Sequence, residues 1–158
     1  MTPFAICVAQ PASAATQMVT VNATSVKPLS LVSVQSLDLG TLVLGPGSWQ
    51  SATVGISRAG VFTCANAFVT CSGTTQAASY TVTGSNGQVV RIMAPDVTLT
   101  NQATPSQTLL LVVDNPGTVT LPNSGTKGVT FSLGGSIVVS PNTVSGTYAG
   151  TFNVTVDY

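Results

Sequence analysis

Gly146-Thr-Tyr-Ala-Gly-Thr-Phe-Asn-Val-Thr-Val-Asp-Tyr158 decides the fold class. Tyr148, Gly150, Phe152, Val154, Val156 and Tyr158 fall on one parity; Thr147, Ala149, Thr151, Asn153, Thr155 and Asp157 fall on the other. Successive side chains of a strand point to opposite faces, so this stretch turns an apolar face to a core and a polar face to water. Helical winding would scatter the same residues around a cylinder. The sequence stops at Tyr158, so an antiparallel sandwich is expected to find a further neighbour for this strand elsewhere.

Working back along the chain, the same period recurs. Met18–Val26 carries Val19, Val21 and Ala23 on one face. Leu29–Leu44 changes parity twice, at Leu29/Leu31, Val32/Val34 and Leu37/Leu39, which predicts two strands joined at a bulge or bend. Val54/Ile56, Tyr80/Val82, Val89–Met93, Leu109–Val113, Val129/Phe131/Leu133 and Ile137–Val139 are further strand candidates. Turn residues separate them: Gly45-Pro-Gly47, a hairpin turn at Gly84-Ser-Asn-Gly87, Asp114-Asn-Pro-Gly117, Pro122-Asn-Ser-Gly125 and Gly134-Gly135. Many short strands at this spacing predict an all-β sandwich or barrel, and no amphipathic helix or fixed-period repeat interrupts them.

The 158 residues suit one domain, and 44% of them are hydrophobic, enough for a real core. Only 5% are charged, against about 25% in an ordinary soluble domain. Thr, Ser, Asn, Gln and Gly must cover the surface, leaving little charge repulsion to oppose packing against copies of itself. Lys27, Arg58, Arg91 and Lys127 lie far apart in sequence, which argues against a phosphate-binding patch, and no apolar run is long enough for a membrane helix.

General acid–base chemistry needs His, Glu or a tuned carboxylate pair. The chain has no His and no Glu, and Asp38, Asp96, Asp114 and Asp157 lie in four separate regions. No catalytic residue, metal or cofactor is expected, and the protein reads as a non-enzyme. Asp96 with Asp114-Asn115 has the oxygen ligands calcium prefers, but turns use the same residues for backbone hydrogen bonds. Cys64 and Cys71 close a small loop and form the expected disulfide, leaving Cys7 over. Trp49, the only Trp, is either a contact residue or a cap on the core.

Residues 1–14 admit two readings. Ala12-Ser-Ala14 looks like a signal-peptidase site, although no basic segment precedes it and the apolar run before it is short. The second reading is a short strand with Phe4, Ile6 and Val8 on one face, on a Gln-Pro-Ala-Ser tether. On that reading residues 1–16 form an extension and residues 17–158 the domain.

Five segments together resemble a known bacterial pattern: the Ala14-Ala-Thr-Gln-Met-Val-Thr-Val-Asn-Ala-Thr opening, Pro28-Leu…Leu37-Asp-Leu-Gly40, Tyr80-Thr-Val-Thr-Gly84, Phe131-Ser-Leu-Gly-Gly-Ser-Ile-Val-Val139, and the closing Gly146–Tyr158 run. The chain resembles a family of secreted bacterial β-sandwich domains of unknown function, close to spore-coat-protein-U-like and archaic chaperone–usher pilin subunits. The resemblance implies an immunoglobulin-like sandwich completed by an N-terminal donor strand from a neighbouring subunit. It also implies a head-to-tail homopolymer at the cell surface, secreted through the periplasm and assembled with a chaperone and an outer-membrane usher. Phe4, Ile6 and Val8 are the expected donor residues. The expected acceptor groove lies between the C-terminal strand (Phe152, Val154, Val156, Tyr158) and the Val19/Val21 strand. The rival expectation is a monomeric secreted adhesin or carbohydrate-binding module.

Overall fold

The computed structural model describes residues 20–122 and 127–158. Those residues form β1 (Ser30–Gln35), β2 (Thr41–Leu44), β3 (Ala52–Ile56), β4 (Phe62–Thr63), β5 (Val69–Ser72), β6 (Ala78–Thr83) and β7 (Val89–Met93). Then follow β8 (Val97–Asn101), β9 (Thr108–Asp114), β10 (Thr118–Thr120), β11 (Val129–Val139), β12 (Tyr148–Ala149) and β13 (Thr155–Asp157). No helix occurs among the described residues, and none is long and apolar enough to cross a membrane.

All the strand pairings are antiparallel. One sheet runs β1-β6-β11-β9-β8-β12, with β3 also on β11 and β4 on β3; a second runs β10-β7-β13; β2 and β5 pair separately. The result is an all-β, curled, sandwich-like arrangement. Leu29–Leu44 does divide into two strands, β1 and β2, and the register of β1 on β6 shifts between Ser33 and Gln35.

β11 organises the core. Phe131 and Leu133 enter a cluster with Ala78, Val82, Val90, Ile92 and Leu121; Ile137 and Val139 enter another with Ala52, Val54, Val69, Val97 and Leu111. Leu37, Val113 and Phe152 touch both. Gly134-Gly135, expected as a turn, lies inside this one continuous strand. A Cβ on Gly134 would overlap the Ile56 carbonyl, and one on Gly135 would sit 2.9 Å from Leu111 Cδ1. The glycines therefore serve close approach of β3 and β9 to the two edges of β11, not chain reversal.

The C-terminal alternation holds in its middle: Tyr148, Phe152, Val154 and Val156 are half-buried and Thr147, Ala149, Thr151, Asn153, Thr155 and Asp157 are exposed, but Gly150 and Tyr158, expected on the inner face, are exposed too. The stretch is nevertheless two short strands. β12 pairs with β8 of the large sheet and β13 with β7 of the small one, so residues 150–154 cross between sheets. Gly84–Gly87 is likewise no hairpin, because β6 and β7 belong to different sheets. The strand expected at Met18–Val26 also fails where it can be seen. Residues 20–26 form no strand, and Val21 is 84% exposed. Alternation only offers a face; without an apolar surface and a neighbouring edge that face stays in water.

Candidate functional site

A groove of about 1150 Å³ opens between two walls. One wall is the Leu37–Gly45 run through β2; the other is the Thr143–Phe152 run through β12. Leu99, Leu109, Leu111, Ile137 and Val139 lie beneath them, and Asp38 is the only ionisable acid or base among the lining residues besides the phenols Tyr80 and Tyr148. Asp38 is engaged as a local acceptor, its Oδ1 taking the Gly40 amide at 2.8 Å. β2 pairs only with β5 and β12 only with β8 among the described residues, so each wall keeps one strand edge without a strand partner. A strand edge without a strand partner beside an apolar floor is a geometry to which an extended segment can add.

Each wall is fastened by a few contacts. The first is tied to the body by the reciprocal Asp38–Gln76 backbone bonds, at 2.8 and 2.9 Å, and by the Gln76 side-chain amide donating to Ser36 O at 3.1 Å. At the other end of β2 the Gly45 amide donates to Phe68 O at 2.6 Å. Trp49 stacks on Phe68 with ring centroids 6.0 Å apart and donates its indole N–H to Gly45 O at 3.1 Å. Trp49 is thus partly buried against the Ile137 cluster, the core-capping role. The expected disulfide forms: Cys64–Cys71, with Cα atoms 6.4 Å apart, links the end of the β3–β4 hairpin to β5. Reducing it should cost about 2–3 kcal/mol, since the closed loop is short. Thermal melts with and without reductant should differ by roughly 5–10 °C, and identical melts would show that the crosslink constrains nothing.

The second wall hangs on Asn101, whose residue is fully buried. Its Oδ1 accepts the Ala103 and Thr104 amides at 3.0 Å each, and its Nδ2 donates to Ser145 O at 3.2 Å. Gly146, with φ of 145°, lies so close that a Cβ there would come 2.6 Å from the Asn101 amide. The Gln102 amide donates to Thr147 O at 2.8 Å, which continues the attachment into β12.

Of the described residues expected to line a groove, only Phe152 does so. Val154 and Val156 pack on the Phe131–Leu133 cluster instead. Tyr158 sits at the far end, its hydroxyl donating to Lys27 O at 2.5 Å and accepting the Ser85 amide at 2.8 Å. Val21 is exposed in irregular chain, and Val19, Phe4, Ile6, Val8 and Cys7 lie outside the described residues. Among the described residues the opposite wall is Leu37–Gly45, and residues 20–26 do not line it. Its signal was present in the alternating Leu42 and Leu44, which face the groove beside Leu39. The oxygens weighed for calcium are otherwise used: Asp96 accepts the Val113 amide, Asp114 pairs with Arg58 at 2.9 Å, and Asn115 accepts the Gly117 amide.

The chain enters the body at the start of β1. Tyr158 and Ser85 hold Lys27 where β1 begins, with Ser30 opposite Thr83, at the Val129 end of β11. The groove runs from Ser33 and Tyr80, three residues along the β1–β6 pair from that point, to Ile137 and Val139 toward the other end of β11.

The fold and site define a class: an antiparallel β-sandwich domain with an open, apolar, edge-flanked groove and no assembled catalytic group among the described residues. The chain belongs to the family described as Domain of unknown function (DUF4402), whose model matches residues 29–158. No curated protein and no solved structure matches it.

Proposed function

We propose that the protein is a structural subunit of an extracellular bacterial filament, polymerised when one subunit's N-terminal strand enters the groove of the next. The observation that carries this reading is the groove between two strand edges that lack strand partners among the described residues. An inserted strand satisfies those edges and lays alternate side chains on the leucine and isoleucine floor. Phe4, Ile6 and Val8 offer that alternation, and burying each contributes roughly 1.5–3 kcal/mol. Head-to-tail addition gives an open filament when the rotation does not close. The same open groove suits temporary capping by a periplasmic chaperone before transfer at an outer-membrane usher. The resemblance to spore-coat-protein-U-like and archaic chaperone–usher pilins supports this reading on the residues quoted for it. A monomeric carbohydrate-binding module is disfavoured because Trp49 spends one ring face on Phe68 and its N–H on Gly45.

Negative-stain microscopy and size-exclusion chromatography of the full chain test the reading. Thin filaments are expected, and an added peptide of residues 1–10, with Cys7→Ser, should compete and shorten them. A species eluting as a monomer near 15.9 kDa that takes up no peptide would overturn it.

A further inference from the structure

β9 reads Thr-Leu-Leu-Leu-Val-Val-Asp, apolar on both parities. A strand of that kind is normally covered on both faces, as in sheets buried on two sides. Here Leu109, Leu111 and Val113 face the core, but Leu110 and Val112 point outward and are 56% and 47% exposed. The neighbouring strands extend the bare surface. The paired register ends at Ser136 opposite Val112; continued by two residues along both strands it sets Val138, 54% exposed, on the same face as Leu110. Thr53 lies opposite Val138 on one side, and Thr98 opposite Leu110 on the other. The outer face of β3-β11-β9-β8 is thus an apolar centre between rows of threonine. Ala52–Ile56, Val97–Asn101, Thr108–Val113 and Ser136–Val139 contain no ionisable acid or base, and the Arg58–Asp114 pair stands only at the edge.

We infer that this face docks on the same face of a second copy, sheet against sheet. An uncharged centre leaves no ion to be desolvated when it meets its own copy, whereas a charged partner would bury charges without counterparts. A two-fold axis makes one self-complementary patch sufficient. The size of the patch sets the strength. Five strands, counting β12, span about 24 Å, and a usable length of about 20 Å gives roughly 480 Å² per copy. Stable dimers bury about 800 Å² per partner. The contact is therefore weak between single subunits and becomes effective only when many are strung together, so that neighbouring filaments bundle. The bundling step rests on the filament reading; the face-to-face contact does not.

Sedimentation velocity of the full chain carrying Ile6→Asp, over a concentration series into the high micromolar range, tests the contact apart from strand donation. A reversible monomer–dimer equilibrium is expected, weakened at least about tenfold by Val138→Lys, which places like charges face to face. Leu110→Lys and Leu110→Asp chains should each stay monomeric alone and associate when mixed. Circular dichroism checks that these exposed substitutions leave the sandwich folded. A concentration-independent monomer, a dimer indifferent to Val138→Lys, or Lys and Asp variants that do not pair would each overturn the inference. If Ile6→Asp still forms filaments, the strand-donation reading fails, and bundle width with and without Val138→Lys then decides on the face alone.

Discussion

A chain carrying Ile6→Asp is expected to fold and remain soluble while forming no filaments, with subunit affinity reduced by at least about a thousandfold. The carboxylate must either enter an apolar groove unpaired or be left out together with the strand that carries it. Effective penalties for burying such a charge are several kcal/mol, and about 1.4 kcal/mol corresponds to each factor of ten. The groove offers no compensation: its sole ionisable acid or base apart from tyrosine phenols is the acidic Asp38, which repels a second carboxylate. Phe4→Asp should behave alike, since Phe4 shares the parity of Ile6. Ala5→Asp places the charge on the opposite parity and should leave assembly nearly intact. Chromatography and microscopy of the three variants read the result directly. Filaments of normal length from Ile6→Asp would remove the leading segment from the mechanism.

Asn101 carries the second large effect. Asn101→Ala removes three hydrogen bonds from a fully buried position and leaves a small cavity. At about 1 kcal/mol for each bond, a loss of roughly 3 kcal/mol is expected, visible as a lower denaturant midpoint with an unchanged slope. Asn101→Asp separates the two halves of the role. Its carboxylate still accepts the Ala103 and Thr104 amides but turns an acceptor toward Ser145 O, where the native amide donates. The Val144–Thr147 wall should then loosen while the β8–β9 turn persists. Hydrogen exchange resolves this: amides of Tyr148 and Ala149 should lose protection before those of β6 or β11. Uniform loss across all strands would assign Asn101 to global stability and not to the wall.

The legible part of the fold follows from alternation that coincides with burial. β7 shows it plainly, with Val90 and Ile92 buried and Val89 and Met93 exposed. Where a strand carries little apolar surface the signal disappears. β4, β5 and β10 are too short and too Thr-rich to stand out, and β8 has only Val97 and Leu99 to mark it. Gly134-Gly135 misleads for a different reason. Glycine marks turns because it relaxes the backbone, yet here it answers the crowding of β3 and β9 on β11, which no local pattern reports. Of the groove, the sequence located Phe152 but placed the opposite wall in Met18–Val26. Parity shows that a segment has an apolar face and cannot say which other segment lies across from it.

Residue order alone determined a nearly uncharged composition with no His or Glu for acid–base chemistry, and it pointed to an antiparallel, all-β chain with a Cys64–Cys71 crosslink. Those properties depend on side-chain chemistry and near neighbours. The partners of each strand, the crossing of residues 150–154 between two sheets, and the pairing of Leu37–Gly45 with Thr143–Phe152 as groove walls were decided only by the tertiary structure. Many of them join residues roughly fifty to a hundred positions apart, and such contacts are selected by the packing of the whole core, which no single stretch encodes.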